Sequence, residues 1–289
     1  HFSDVLNPFI RVLRQLTRPF LMSSFFEEKV VIITGASKGI GRTTAIMFAA
    51  KGARLTLAGR CTANMQITRE QCIKAGASSE GILEVFGDIE MDKTREEIVA
   101  ETIRRFGRID VLVNNAGLAM KNRSSDPIHV SLEDFDRTIT VNTRAVLHLS
   151  KLALPYLEKA QGCIINVSSI ASLSLTQMNL SYAMSKAALD QLTVQLAGNL
   201  AKRGIRVNGV NPGPTQTHFL GNYGLNEDKC RDVITSLGKH VPLGRSGFPE
   251  DVAKLIVFLA DRNQSEFIVG QRIVIDGGLI LNNPLGSKL

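Results

Sequence analysis

From residue 29 onward, short runs of β-branched and aliphatic residues alternate with longer stretches in which apolar positions recur every three or four residues. The runs at 29–34, 54–58, 83–86, 110–114, 163–167, 206–210 and 272–275 predict seven strands. The periodic stretches at 42–51, 66–75, 94–106, 134–156, 182–202 and 249–260 predict the helices between them. Each connection is too long for a hairpin, so consecutive strands pair in parallel through right-handed crossovers. Runs such as Val30-Val31-Ile32-Ile33 are apolar at every position, which calls for cover on both faces. The pattern predicts an α/β fold: a single doubly wound, Rossmann-type domain whose seven-stranded parallel sheet is flanked by helices on both faces. Its ligand crevice lies beyond the carboxyl ends of the strands.

The first 21 residues stand outside this pattern. Phe9, Val12, Leu13 and Leu16 fall at i, i+3, i+4 and i+7, with Arg11, Arg14 and Arg18 on the opposite side. A basic amphipathic segment of this kind fits a transit segment or a membrane-surface anchor; translated upstream sequence, with Met22 as the natural start, fits equally. Residues 1–21 are therefore set apart as an extension, and 22–289 are read as one domain. No apolar run reaches the roughly 18 to 20 residues needed to span a bilayer.

Composition narrows the picture only a little. The formal net charge is +7, of which the first 21 residues carry +2, and the remaining basic residues are spread along the chain rather than gathered into a nucleic-acid stripe. The four cysteines, Cys61, Cys72, Cys163 and Cys230, show no CxxC pair and no zinc-type spacing with the five histidines, so no metal site is expected. Reduced thiols suit a cytoplasmic protein, with a mitochondrial one as the alternative if residues 1–21 direct transit.

Candidate chemistry begins directly after the first strand, in Gly35-Ala36-Ser37-Lys38-Gly39-Ile40-Gly41. Gly35 permits a tight exit from the strand, Gly39 lets backbone approach a pyrophosphate, and Gly41 lets the following helix pack close to the sheet. The N–H groups at the start of that helix point at the phosphates. A dinucleotide site follows. An NAD site usually places an acid at the tip of the second strand, about twenty residues on; here that tip is Gly59-Arg60. Arg60 with Lys38 would cradle a 2′-phosphate, which selects NADP(H).

Tyr182 and Lys186 lie i, i+4 on one predicted helix that opens at the crevice. A phenol is a poor base at neutral pH, and a nearby ammonium favours its phenolate. The spacing thus offers a proton donor and acceptor beside the dinucleotide. His218 and His240 are not needed for that task.

These elements together resemble the short-chain dehydrogenase/reductase family over about residues 29–278. The resemblance rests on TGASKGIG at 34–41, Asp88, NNAG at 114–117, Asn142, VSS at 167–169, YAMSK at 182–186, NPG at 211–213 and VIDGG at 274–278. It implies an NADP(H)-dependent oxidoreductase that moves a hydride between the nicotinamide and a carbonyl or secondary alcohol. Tyr182 would be general acid and base, Ser169 would polarise the substrate oxygen, with Ser168 the alternative register, and Asn142 would hold a relay water. Lys186 would also bond the nicotinamide ribose, Asp88 and Ile89 would flank the adenine, Asn115 would line the adenosine ribose, and Thr215 would meet the carboxamide with Thr217 close by. Asn114 is read as structural.

The substrate is left open. Residues 214–245, with Phe219, Leu220, Tyr223 and Leu225, and the loops at 118–127 and 173–179 suggest an apolar wall around a small molecule. A 3-oxoacyl thioester reductase and a non-catalytic dinucleotide sensor stand as alternatives; the sensor would be expected to lack one of Asn142, Ser169, Tyr182 or Lys186. The resemblance implies a homodimer or homotetramer, and Ile280, Leu281 and Leu285 are compatible with a buried C-terminal interface.

Overall fold

The computed structural model describes residues 25–120, 128–174, 179–223 and 226–281. The extension at 1–21, Met22, Leu225, Leu285 and parts of the two predicted pocket loops lie outside those residues. Seven strands are present: β1 (Val30–Thr34), β2 (Arg54–Gly59), β3 (Ile82–Phe86), β4 (Val111–Asn114), β5 (Cys163–Val167), β6 (Arg206–Pro212) and β7 (Arg272–Ile275). They form one sheet in the order β3-β2-β1-β4-β5-β6-β7, and every pairing is parallel. The chain runs outward from β1 to β3, then returns to place β4 on the other side of β1. The crevice opens at that reversal.

Alternation along β1 shows why both sides need cover. Val31 and Ile33 join one core with Ala45 and Phe48 of helix α1 (Gly39–Ala49), Met65 and Cys72 of α2 (Thr62–Lys74), and Val252 and Ile256 from a helix late in the chain, Pro249–Ala260. Ile32 joins the opposite core with Ile98 of α3 (Asp92–Phe106), with Leu149 and Leu157 from Ala145–Ala160, and with Ala197 and Leu200 from Leu180–Leu200. Successive side chains on a strand point to opposite faces, and each face here is apolar.

Two predicted helices differ from expectation. The stretch at 134–156 is not one helix: α4 (Leu132–Ile139) meets α5 (Ala145–Ala160) through a π turn at Thr140–Arg144, which contains Asn142. A π turn adds a residue without disturbing the apolar spacing enough to be seen, and such turns gather at functional sites. The first helix begins at Gly39 rather than at residue 42, because glycines carry no apolar period to count. Beyond the long helix α6 (Leu180–Leu200), a helix α7 (Glu227–Gly238) was not predicted; Asn226 caps it by accepting from the Lys229 N–H at 2.9 Å. The helices α8 (Pro249–Ala260) and α9 (Arg262–Ser265) complete the set.

Candidate active site

The glycine turn leaves β1 with Gly35 at φ 65° and enters α1 with Gly39 at φ 54°, a region that side chains rarely tolerate. At Gly41 a Cβ would stand 2.3 Å from the Gly35 carbonyl oxygen and 2.5 Å from Asn115 Nδ2, so only glycine lets α1 sit this close to the strand end. The head of α1 has no side-chain cap at Lys38 and no acid in its first turn. Its N–H groups are therefore open to an anion supplied from elsewhere. From above, Thr217 closes on the turn: a Cβ at Gly39 would meet its Cγ2 at 3.1 Å.

Beside the turn lies a cavity of about 120 Å³, bordered by Ser37, Gly59, Arg60, Asp88, Ile89 and Gly117 among others. Arg60 Nη1 is 3.3 Å from Asp88 Oδ2, and the Arg60 side chain is 62% exposed. Lys38 is half-buried, and its charge reaches the tip of β2. The exposed Cys61 thiol is held below its ordinary value there, chiefly by the Asn64 N–H, with Lys38 a smaller cause. The Ile89 carbonyl also accepts from the buried Arg95 guanidinium.

The two asparagines after β4 differ in use. Asn114 Nδ2 donates to Asn166 Oδ1 at 2.9 Å and ties β4 to β5, as its structural reading expects. Asn115 Nδ2 donates to the Thr34 and Gly35 carbonyls at 2.9 and 3.2 Å, which pins the exit of β1. Thr215 is buried, donates to the Gly213 carbonyl at 2.9 Å and pairs with Gly247.

At the head of α6 stands Tyr182, only 6% exposed, with its ring 5.6 Å from Phe219. One turn along the same face, Lys186 Nζ is 5.7 Å from the Tyr182 ring centroid and donates to the Val167 carbonyl at 2.8 Å. Burial pushes the Lys186 ammonium down to about 8, against which the Asp190 carboxylate acts in the opposite direction. Ser168 is buried, and its hydroxyl is 3.3 Å from the Lys186 carbonyl. Ser169 is half-buried, and its Oγ accepts from the Ala171 N–H at 3.1 Å. Asn142 is fully buried: Oδ1 accepts from Leu118 N–H at 2.7 Å, while Nδ2 donates to Leu118 O at 2.8 Å and to Ser185 Oγ at 2.9 Å. Its amide thus clamps the segment after β4 to α6.

Gly117 marks the point where Asn142, Lys186 and Phe219 approach one another. A Cβ there would lie 3.6 Å from both Asn142 Oδ1 and Lys186 Nζ, and 3.9 Å from Phe219 Cε2. Gly117, Ser185 and Asn211 enter the sequence reading only as members of NNAG, YAMSK and NPG, with no role assigned, and Asp190 lies at the next i+4 step after Lys186. His218 and His240 are exposed. All four cysteines are free thiols; burial lifts Cys72 to about 12 and Cys163 to about 11. Among the described residues no cluster of His, Cys, Asp and Glu could hold a metal, and no helix is long and apolar enough to cross a membrane.

The chain is similar to known proteins. The family described as Enoyl-(Acyl carrier protein) reductase matches residues 35–280. A 3-oxoacyl-(acyl-carrier-protein) reductase of Thermotoga maritima is 36% identical over 88% of this chain and 99% of its own length. A glucose 1-dehydrogenase of Gluconobacter oxydans is 36% identical over 89% of this chain and 93% of its own. A cofactor-bound short-chain dehydrogenase/reductase of unknown function from Caenorhabditis elegans superposes with a TM-score of 0.88, at 40% identity, over 92% of this chain and all of that one. With the parallel sheet, the glycine turn and the Tyr182–Lys186 pair, these likenesses establish that the chain belongs to the short-chain dehydrogenase/reductase family of hydride-transferring oxidoreductases.

Proposed function

We propose that the protein is an NADP(H)-dependent reductase or dehydrogenase acting on a carbonyl or secondary alcohol with an apolar flank. The observation that carries this reading is the Tyr182–Lys186 pair on one face of α6, with Lys186 Nζ brought beside Gly117 at the switch point of the sheet. When bound, the nicotinamide supplies or accepts the hydride. Tyr182 Oη gives its proton to the substrate oxygen in reduction and takes it back in oxidation, and the Lys186 ammonium stabilises the phenolate. Ser169 orients the oxygen; its half-buried hydroxyl is the better placed of the two serines, because Ser168 is turned to the Lys186 carbonyl. The Asn142 side chain is fully engaged with Leu118 and Ser185, so any relay water would be held by backbone at the π turn rather than by this amide.

The chain's residues fit a dinucleotide: a Cβ at Gly35 or Gly41 would force the turn and the head of α1 away from the strand end and Asn115, and one at Gly39 would meet Thr217. In this reading the backbone of Ser37, Lys38, Gly39 and Ile40 faces the pyrophosphate, Asp88 and Ile89 flank the adenine, and Asn115 borders the adenosine ribose. Lys186 bonds the other ribose, and Thr215 meets the carboxamide. Arg60 and Lys38 select the 2′-phosphate. The Arg60–Asp88 pair does not oppose this, since an exposed ion pair contributes little and a dianionic phosphate competes well for a planar guanidinium.

Phe219, packed on Tyr182, supports an apolar wall at the reacting centre. Exposed Phe267 and Leu281 and the thinly covered β7 support a homodimer or homotetramer. Four free thiols suit the cytoplasm. The Thermotoga relative favours a second reading, a 3-oxoacyl thioester reductase, which would need a basic docking surface for an acidic carrier. A non-catalytic sensor is disfavoured because Asn142, Ser169, Tyr182 and Lys186 are all present. The test is NADPH fluorescence on binding, then oxidation with a panel of diketones, quinones and 3-oxoacyl thioesters. Turnover of any member supports the enzyme, and tight binding without turnover supports the sensor.

A further inference from the structure

Behind the reacting groups lies a buried polar knot that the hydride-transfer reading does not use. Asp190 sits on α6, four residues past Lys186 and eight past Tyr182, and is 2% exposed. Its Oδ2 is 2.6 Å from Ser172 Oγ and 2.8 Å from Asn211 Nδ2. Both partners also reach the backbone of Ser169: Ser172 Oγ lies 2.7 Å from its carbonyl oxygen, and Asn211 Nδ2 lies 3.1 Å from the same atom. One carboxylate oxygen therefore joins the helix of Tyr182 and Lys186, the turn after β5 that carries Ser169, and the end of β6.

We propose that Asp190 is a positioning residue for the reaction centre. It locks the Ser169 turn to the Tyr182–Lys186 helix, and its negative charge holds the buried lysine in the ammonium form that the phenol requires. The inference rests on the assignment of Lys186 as the phenol's cation.

Two observations support a role for the charge beyond the tie. Placing a carboxylate in a dry interior is costly, and a neutral hydroxyl or amide would satisfy Ser172 and Asn211 as acceptor. Moreover, Asp190 Oδ1 is buried without a hydrogen-bond partner among the described residues, so its charge is not consumed by local donors. Among those residues no direct ion pair joins Lys186 and Asp190. They act across one helical turn, and Asp190 is the charge that counters the desolvation of Lys186. The other groups around the lysine are the Tyr182 ring on its own helix, the Val167 carbonyl of β5, Ser168 beyond β5, and the amide of Asn142 on the π turn. From β6, Asn211 is uncharged, and Arg206 is turned to carbonyls of α8 and to Ser265. From α4, packed on α6, Asp134 is buried, Glu133 and Asp136 are exposed, and Arg137 pairs with Glu90.

The test reads the lysine itself and needs no substrate. In protein labelled at lysine ε-carbons, the Lys186 resonance is assigned by its loss in Lys186→Arg and then followed against pH. It is expected to titrate near 8 in the wild type and about one pH unit lower in Asp190→Asn, which keeps the shape and loses the charge. If Asp190→Asn does not fold, Asp190→Ser, neutral and smaller, is expected to give the same downward shift. Ser172→Ala removes a tie and keeps the charge, and should leave the titration at the wild-type pH. An unshifted resonance in the neutral variants would overturn the proposal and leave Asp190 as a structural tie. Failure of the enzyme reading would show separately, as absent turnover in the wild type.

Discussion

The Lys186 ammonium lies 5.7 Å from the centroid of the Tyr182 ring, one turn along the same helix, and donates to the Val167 carbonyl at 2.8 Å. Burial that lowers the lysine to about 8 also dries the space in which it acts, and a cation influences a phenol far more in such a setting than in water. This sets the expected pH behaviour. Below about 8 the ammonium is present, and as pH rises through that value it is lost. Carbonyl reduction at saturating cofactor is expected to slow through this range as the cation beside the phenol disappears. A rate that stays level across it would contradict the assignment.

Cofactor choice depends on Arg60 and Lys38. Arg60→Asp is expected to weaken NADPH by about 10-fold to 100-fold, as loss of a charge-assisted phosphate contact implies, and NADH by much less. Fluorescence titration with both nucleotides measures the difference. Equal losses would remove the 2′-phosphate cradle from the account.

The tight glycine turn makes a stability prediction with an internal comparison. Gly41→Ala drives a methyl against the Gly35 carbonyl and the Asn115 amide, so a loss of about 1–3 kcal/mol together with cofactor binding is expected. Gly198 lies inside α6 with nothing within 4 Å of an added Cβ. Gly198→Ala is expected to gain about 0.5–1 kcal/mol, since alanine is the better helix former. Thermal unfolding of the two variants decides both; a stable Gly41→Ala that binds cofactor would mean that the strand-to-helix approach is looser than the structure has it.

Much of this was legible in the chain because the strands are apolar at consecutive positions. β5, α8 and β7 fall where their residue patterns put them, and the glycine turn and the i+4 pair point to the crevice without help from tertiary structure. Other features were hidden for identifiable reasons. The π turn at Asn142 shifts the helical ladder but leaves the apolar spacing readable as one helix, so the break in 134–156 did not show. The helix α7 buries only a thin stripe, Cys230 and Ile234, behind its Asn226 cap. The Asp190 knot joins residues 18 and 21 positions apart in the chain, and neither Ser172 nor Asn211 stands in any periodic relation to it. Only packing reveals that Gly117 is the point on which Asn142, Lys186 and Phe219 converge.

The central claim is that the Tyr182 phenol carries the proton. The most direct measurement compares wild type and Tyr182→Phe for NADPH binding and for NADPH oxidation with whichever member of the substrate panel the wild type reduces. Binding within a factor of about two and turnover lower by roughly 10²-fold or more are predicted, as loss of a positioned acid–base group implies. Turnover in Tyr182→Phe close to the wild-type rate would show that another group delivers the proton.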